Sequence, residues 1–430
     1  MNNVEKRLVE EKQLMESITA PEELEMRLRD ALNAAAPKRK KRIAPIWKIA
    51  AVIVFALVVS GNNYNAFAYY GKQLFGFDDL IEGTLKQLND KGMGQMVEKT
   101  TKLEDGTELI INGIMSDANQ LVMYYTLNNP NGLDDHYGGF FSPRNITGFL
   151  TKSSTRSGMS VMNENQTEIK GSMSFDNVSP FSKELTLHFW QSFQNGVRKE
   201  STVSFPYDPN KAMQTEIKQS INKKFKVNKG TITFQSITAT PMMTVINGKL
   251  NVENLYKVDN ALGGIELKAN GHPIAYLGSG TQSSFGGTEF YIHFDSLPEQ
   301  LDKLELVIKE FAGYQKLEEK ISLASFGDEA ISLNGKELRV KDVSTTADGV
   351  EVTIVTDEDV RLEGVSIDSQ AGITPLKTTV NQNSTMQADG RWLKERTLLF
   401  DTINEPEYLL IEGMHYMSEY NGVIEIPVSD

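Results

Sequence analysis

The chain has 430 residues, a net charge of −13 and no cysteine. The missing cysteines exclude disulfides, thiolate metal sites and a cysteine nucleophile, and the acidic balance argues against nucleic acid as a partner. The balance is uneven: residues 1–44 carry ten basic and eight acidic side chains, so the acidic excess lies wholly beyond them.

Residues 1–44 read as a helical segment of two short helices. In the first, Val4, Leu8, Met15 and Ile18 approximate one apolar stripe. In the second, Thr19 is placed to cap the helix with Glu22 as capping-box partner, and Pro21 sits in the first turn. Leu24, Leu28 and Leu32 then recur every fourth position, and Pro37 ends the helix. Two amphipathic helices cannot cover their own stripes. They fray, lie on a membrane surface, pair in a homodimer, or dock helix-in-groove onto a cytoplasmic protein, with Leu24, Leu28 and Leu32 as the contact residues.

Five consecutive basic residues, Lys38, Arg39, Lys40, Lys41 and Arg42, precede an apolar run from residue 46 to 61. The run reaches the length of a bilayer core, about 20 residues, by continuing to Ala68. A single transmembrane helix is therefore expected over 45–68. Trp47 lies at its basic end, Lys48 is placed to snorkel, and Tyr64, Phe67, Tyr69 and Tyr70 mark the other interface. Basic residues stay inside, so residues 1–44 are expected in the cytoplasm and the C-terminal region outside the cell membrane. A rival reading is a secretory leader cut after Ala68, since Ala66-Phe67-Ala68 has the form of a cleavage site.

Residues 69–97 carry a short juxtamembrane helix, with Leu80, Ile81, Leu85 and Leu88 at helical spacing. Beyond it the periodicity changes to two, as in 109–111, 121–127 and 185–189. Phe175-Asp176, Phe294-Asp295 and Phe400-Asp401 are each followed by a turn, an alternating strand, a loop with glycine and a closing strand at 201–205, 320–323 and 422–426. Asp105-Gly106, Lys229-Gly230 and Asn334-Gly335 mark the opening turns. The fold class expected is mainly β outside the membrane. Three tandem β-sandwich (Ig-like) units at 98–210, 211–327 and 328–430 follow the transmembrane helix and the short helical cytoplasmic segment. A helical joint is expected at 211–220.

The stretch Asn63-Tyr64-Asn65-Ala66-Phe67-Ala68-Tyr69-Tyr70-Gly71, with Gly83-Thr84-Leu85, Leu88 and Gly92-Met93-Gly94, resembles a family of Gram-positive membrane proteins carrying the domain of unknown function numbered 4179 (DUF4179). Asp105-Gly106, Gly113-Ile114-Met115 and residues 117–127 are similar to that family's first β-unit. The resemblance covers residues 45–130. It implies an anti-sigma-like role, in which a cytoplasmic segment holds an extracytoplasmic-function sigma factor inactive and an outer region senses the envelope. Many anti-sigma proteins carry a His and Cys zinc motif inside the cell, and this chain has neither residue before His136.

Little else points to chemistry. His136, His188, His272, His293 and His415 have no partner at zinc-motif spacing, and no nucleophile elbow is present. Asp357-Glu358-Asp359 lacks the pattern of a calcium loop and reads as a solvated strand-end turn. The Gly-rich stretch 277–287 has no following helix to form a phosphate cradle. No enzymatic activity, cofactor or metal is expected. The function expected is a membrane-anchored regulator with a β-rich sensor region; the alternative is an envelope-anchored or secreted adhesion or ligand-binding protein, whose envelope ligand the sequence does not name.

Overall fold

The computed structural model describes residues 77, 80–81, 83–133, 141–193, 197–284, 287–324 and 330–428. The expected inner helices and the apolar run of 45–68 lie outside the described residues, as do Leu24, Leu28, Leu32, Lys38, Arg39, Lys40, Lys41, Arg42 and Trp47. Among the described residues no helix is long and apolar enough to cross a membrane.

Among the described residues one α-helix, α1 (Gly83–Asp90), precedes a chain that is mainly β. The first eight strands are β1 (Gln95–Lys102), β2 (Glu108–Ser116), β3 (Gln120–Asn128), β4 (Phe141–Gly148), β5 (Thr151–Met162), β6 (Glu168–Asp176), β7 (Glu184–Ser192) and β8 (Arg198–Pro206). They form one antiparallel sheet in the order β1-β2-β3-β6-β5-β4-β7-β8. The start of β5 pairs with β4 and its remainder with β6, so it joins the two halves of the sheet. Leu109, Met123 and Phe175 from one half and Ile146, Leu187 and Phe205 from the other meet in a single core.

The next eight are β9 (Ile217–Val227), β10 (Gly230–Ala239), β11 (Thr244–Val252), β12 (Ile265–Ala269), β13 (His272–Pro273), β14 (Tyr276–Ser284), β15 (Gly287–Phe294) and β16 (Leu304–Ser322). The last eight are β17 (Ile331–Leu333), β18 (Lys336–Thr346), β19 (Gly349–Asp357), β20 (Arg361–Glu363), β21 (Ser366–Ser369), β22 (Gly372–Met386), β23 (Trp392–Phe400) and β24 (Pro406–Ile426). Five of these strands form the second sheet, β14-β15-β11-β10-β9, and the other eleven belong to a third sheet centred on β16 and β24. Two further cores result, one drawn mainly from residues 221–312 and one from 321–414.

Strand partners follow from turn chemistry where the turn is short. Asn334 and Gly335 both take positive φ, 49° and 84°, which is what a two-residue hairpin between β17 and β18 requires. The repeated Phe-Asp pairs fall at equivalent places: Phe175, Phe294 and Phe400 close β6, β15 and β23, and each is fully buried in a different core.

Two local expectations fail. Residues 211–220 form no α-helix: a single 3-10 turn covers Pro209–Lys211, and the chain is already in β9 from Ile217. The glycine loops expected after 308 and after 411 are also absent, because β16 and β24 run straight through them. β16 and β24 pair antiparallel from Leu304↔Ile426 to Ser322↔Tyr408. The reason lies in their middles, which are themselves core: Phe311 and Ala312 belong to one cluster and Met414 to the other. Their glycines permit close approach instead of turning the chain. A Cβ on Gly413 would stand 2.6 Å from the Tyr314 hydroxyl, and one on Gly422 would collide with the Phe225 ring.

The outcome is an exchange of closing strands. In the first sheet β7 pairs with the strand that immediately follows it, Glu184 opposite Pro206. The corresponding strand at 304–308 pairs with 422–426, and the one at 408–411 pairs with 319–322. Ile424 and Ile426 therefore pack in the core of 221–312, while Ile321 and Leu323 pack in the core of 321–414.

Candidate functional site

β3 is buried along nearly its whole length, which a strand with one solvated face would not be. Leu121, Met123, Tyr125 and Leu127 face the first core, and the alternate residues Val122 and Tyr124 face the segment containing α1. There Phe77, Leu80, Ile81 and Leu88 pack with Met115, Val122 and Tyr124, together with Met213 and Met242 from further along the chain. Phe77 meets Tyr124 edge-on, with ring centroids 5.5 Å apart.

Polar contacts tie the same place to the second sheet. Thr84 Oγ1 donates to Asp295 Oδ1 at 2.7 Å, and Lys91 Nζ donates to Glu299 Oε1 at 3.0 Å. Asn119 Nδ2 donates to the carbonyls of Thr238 and Met243, both at 3.0 Å. Asp117 Oδ1 accepts from the N–H groups of Asn119 and Gln120 and so sets the turn between β2 and β3 that presents Asn119. Burial pushes the Asp117 carboxyl up, and burial with the nearby Asp117 and Glu299 charges does the same to Glu216.

Beside α1 opens a cleft of about 1020 Å³ between β5 and β6 on one side and β14 and β15 on the other. Arg156 Nε donates to Asp176 Oδ1 at 2.7 Å within it. Tyr291 stacks on His293 with centroids 4.7 Å apart. Burial and the Arg156 charge push His293 down to about 4, so its ring is neutral near pH 7, and its Nε2 is buried without a partner. The cleft borders the start of α1 at Gly83, Thr84 and Leu85.

The sequence marked Leu80, Ile81, Leu85 and Leu88 as one helical stripe, and three of these four are core residues of the junction. Asp295 was read there only as a member of a structural repeat, yet it anchors Thr84. Asn119 carried no sequence signal beyond its place in an Asp-x-Asn turn. Of the histidines, His188 bonds Thr147 and His415 bonds Glu363, while His293 lines the cleft.

Residues 38–129 match the family model of DUF4179, a domain of unknown function. The match starts at the first residue of the basic cluster and ends one residue beyond β3, so it takes in α1 and the strands beneath it. No curated protein matches. Among solved structures, a conserved domain protein from Bacillus anthracis is 12% identical, with 57% of this chain and 84% of that chain covered and a TM-score of 0.37. A marsupial T cell receptor is 5% identical over 71% of this chain and 97% of its own, with a TM-score of 0.14.

Proposed function

We propose that the chain is a membrane-anchored, anti-sigma-like regulator, with residues 1–44 in the cytoplasm, one span at 45–68 and three β-sandwich, Ig-like units outside. The observation that carries this reading is the seat of α1. The segment that follows the basic and apolar runs is wedged against β3 and tied by Thr84 and Lys91 to the second sheet. An outer ligand that binds one packing of this junction better than another would shift the equilibrium of that segment by its difference in affinity, and no more. The inner helices, with Leu24, Leu28 and Leu32 facing the partner, hold an extracytoplasmic-function sigma factor until that shift occurs. The reaction is one of binding and release, and needs no catalytic group.

Capture with the tagged full-length chain tests the reading. The wild type should retain a sigma factor, and Leu24→Asp with Leu28→Asp should release it. Failure of the wild type to retain any sigma factor, with or without envelope stress, overturns the proposal. A mature chain beginning at Tyr69 overturns the covalent link between outside and inside.

A further inference from the structure

A second pocket lies at the other joint, where the turn after β11 approaches the last set of strands. It encloses about 590 Å³ and is lined by Lys257, Arg361, Lys394 and Arg396. Lys394 and Arg396 are two apart on β23 and so share a face. Lys394 is only 9% exposed, yet its Nζ has a single acidic neighbour, Asp259 at 3.8 Å, on a side chain almost wholly in solvent. Arg396 spends one N–H on Thr356 Oγ1 and one on the carbonyl of Val360, both neutral acceptors, which leaves three of its five donors. Lys257 and Arg361 stand exposed at the mouth.

Four carboxylates also line the pocket, and one is committed elsewhere: Asp359 holds Lys336 at 2.7 Å and accepts the N–H of Met417. Glu363 is bonded to His415, which burial keeps neutral, so Glu363 retains its charge. Asp259, Glu358 and Glu363 together face four cations. The stem of Lys394 is buried while its Nζ keeps one distant acidic neighbour, so an oxyanion entering the pocket would complete the ammonium's shell. Burial, and after it the neighbouring Arg361, push Arg396 below its usual value against the opposing charge of Asp259.

We propose that this pocket binds a phosphate group carried on an ester. A carboxylate presents two oxygens in one plane and satisfies one guanidinium fork. Cations converging from the turn after β11, from β20 and from β23 suit a group with acceptor oxygens in several directions. Lys394 supplies the fixed charge at the base, Arg396 its spare donors, and Lys257 and Arg361 close on the group from the mouth. The site is independent of the sigma-factor reading.

The test is calorimetric titration of the full-length chain at constant ionic strength with glycerol phosphate, dimethyl phosphate, inorganic phosphate and acetate. At least one ester should bind saturably, and acetate at least about tenfold more weakly. Lys257→Gln with Arg361→Gln, both exposed and outside the cores, should weaken ester binding by about tenfold or more while the melting curve keeps its shape. Lys394→Met provides a second variant and should abolish binding in a chain that still melts cooperatively. The proposal is overturned if neither ester binds, if acetate binds equally, or if the double variant binds as the wild type does. Preference for glycerol phosphate or for dimethyl phosphate would assign the group as a monoester or a diester.

Discussion

The exchange of closing strands between the last two cores makes a prediction that a simple tandem array reverses. Ile426 lies near the end of the chain, is 3% exposed, and packs among residues 221–312 although it follows the last of the 321–414 core in sequence. Truncating a buried isoleucine to alanine costs about 2–5 kcal/mol. At about 1.4 kcal/mol per tenfold, this corresponds to a rise of about 30-fold to several thousandfold in the opening of the affected core. Ile426→Ala should therefore speed amide exchange in β9, β10, β11 and β15 before it does so in β18 and β19. Ile321→Ala should do the opposite, because Ile321 belongs to the later core despite lying on the strand that begins in the earlier one. Hydrogen exchange read by peptide mass resolves the two regions. If Ile426→Ala loosened only residues 331–411, the exchange of strands would be refuted.

The junction beside α1 gives two more tests. Asn119→Ala removes a donor from the carbonyls of Thr238 and Met243, the latter still held by Thr240, at about 0.5–1.5 kcal/mol, and urea midpoints should fall accordingly while Asn112→Ala, on the same sheet, changes them less. For His293, folding lowers the pKa from 6.5 to about 4, so the unfolded chain binds the proton more readily. Its contribution is present above pH 6.5 and is lost as the pH falls toward 4, and His293→Gln should flatten that part of a stability-against-pH curve. His415, also lowered by burial, acts in the same direction and leaves a residual slope. Asp117 has the opposite sign. Its folded pKa is raised above 3.8, so it lowers stability as the pH rises through the raised value, and Asp117→Asn should relieve that loss in the same urea series.

What could be read from the sequence was local. Alternation located β2, β3 and β7, the Asp-Gly and Asn-Gly pairs located turns, and the three Phe-Asp pairs located one buried phenylalanine in each core. The choice of strand partner was not local. Residues 304–308 and 408–411 carry the same alternation as 184–189, and alternation states which face is buried without saying which strand lies alongside. A glycine between two such runs is equally consistent with a turn and with a place where a ring crosses the ribbon, and Gly413 and Gly422 are of the second kind. The helix expected at 211–220 does not form because the stretch is claimed by tertiary contacts: the Met213 N–H donates to the Ser116 carbonyl and its side chain is buried beneath α1. The cations of the second pocket come from three separate stretches, at 257, 361 and 394–396, and no spacing rule joins them.

The two joints differ in how readily they can open. The joint between the second and third cores is a ribbon of two strands of 19 and 21 residues, each contributing side chains to both cores, so separating the cores requires breaking the ladder and opening both. The joint between the first and second sheets has no shared strand. It rests on the apolar cluster around α1, the carbonyl contacts of Asn119, and the bonds from Thr84 and Lys91. Motion is drawn from the elements whose opening is cheapest, which places the compliant joint where the 77–93 segment is seated. A ligand in the cleft beside α1 would then act on that segment directly. An ester held by Lys257, Arg361, Lys394 and Arg396 touches no residue of that segment, so Lys257→Gln with Arg361→Gln should leave amide exchange in 83–93 as it is in the wild type.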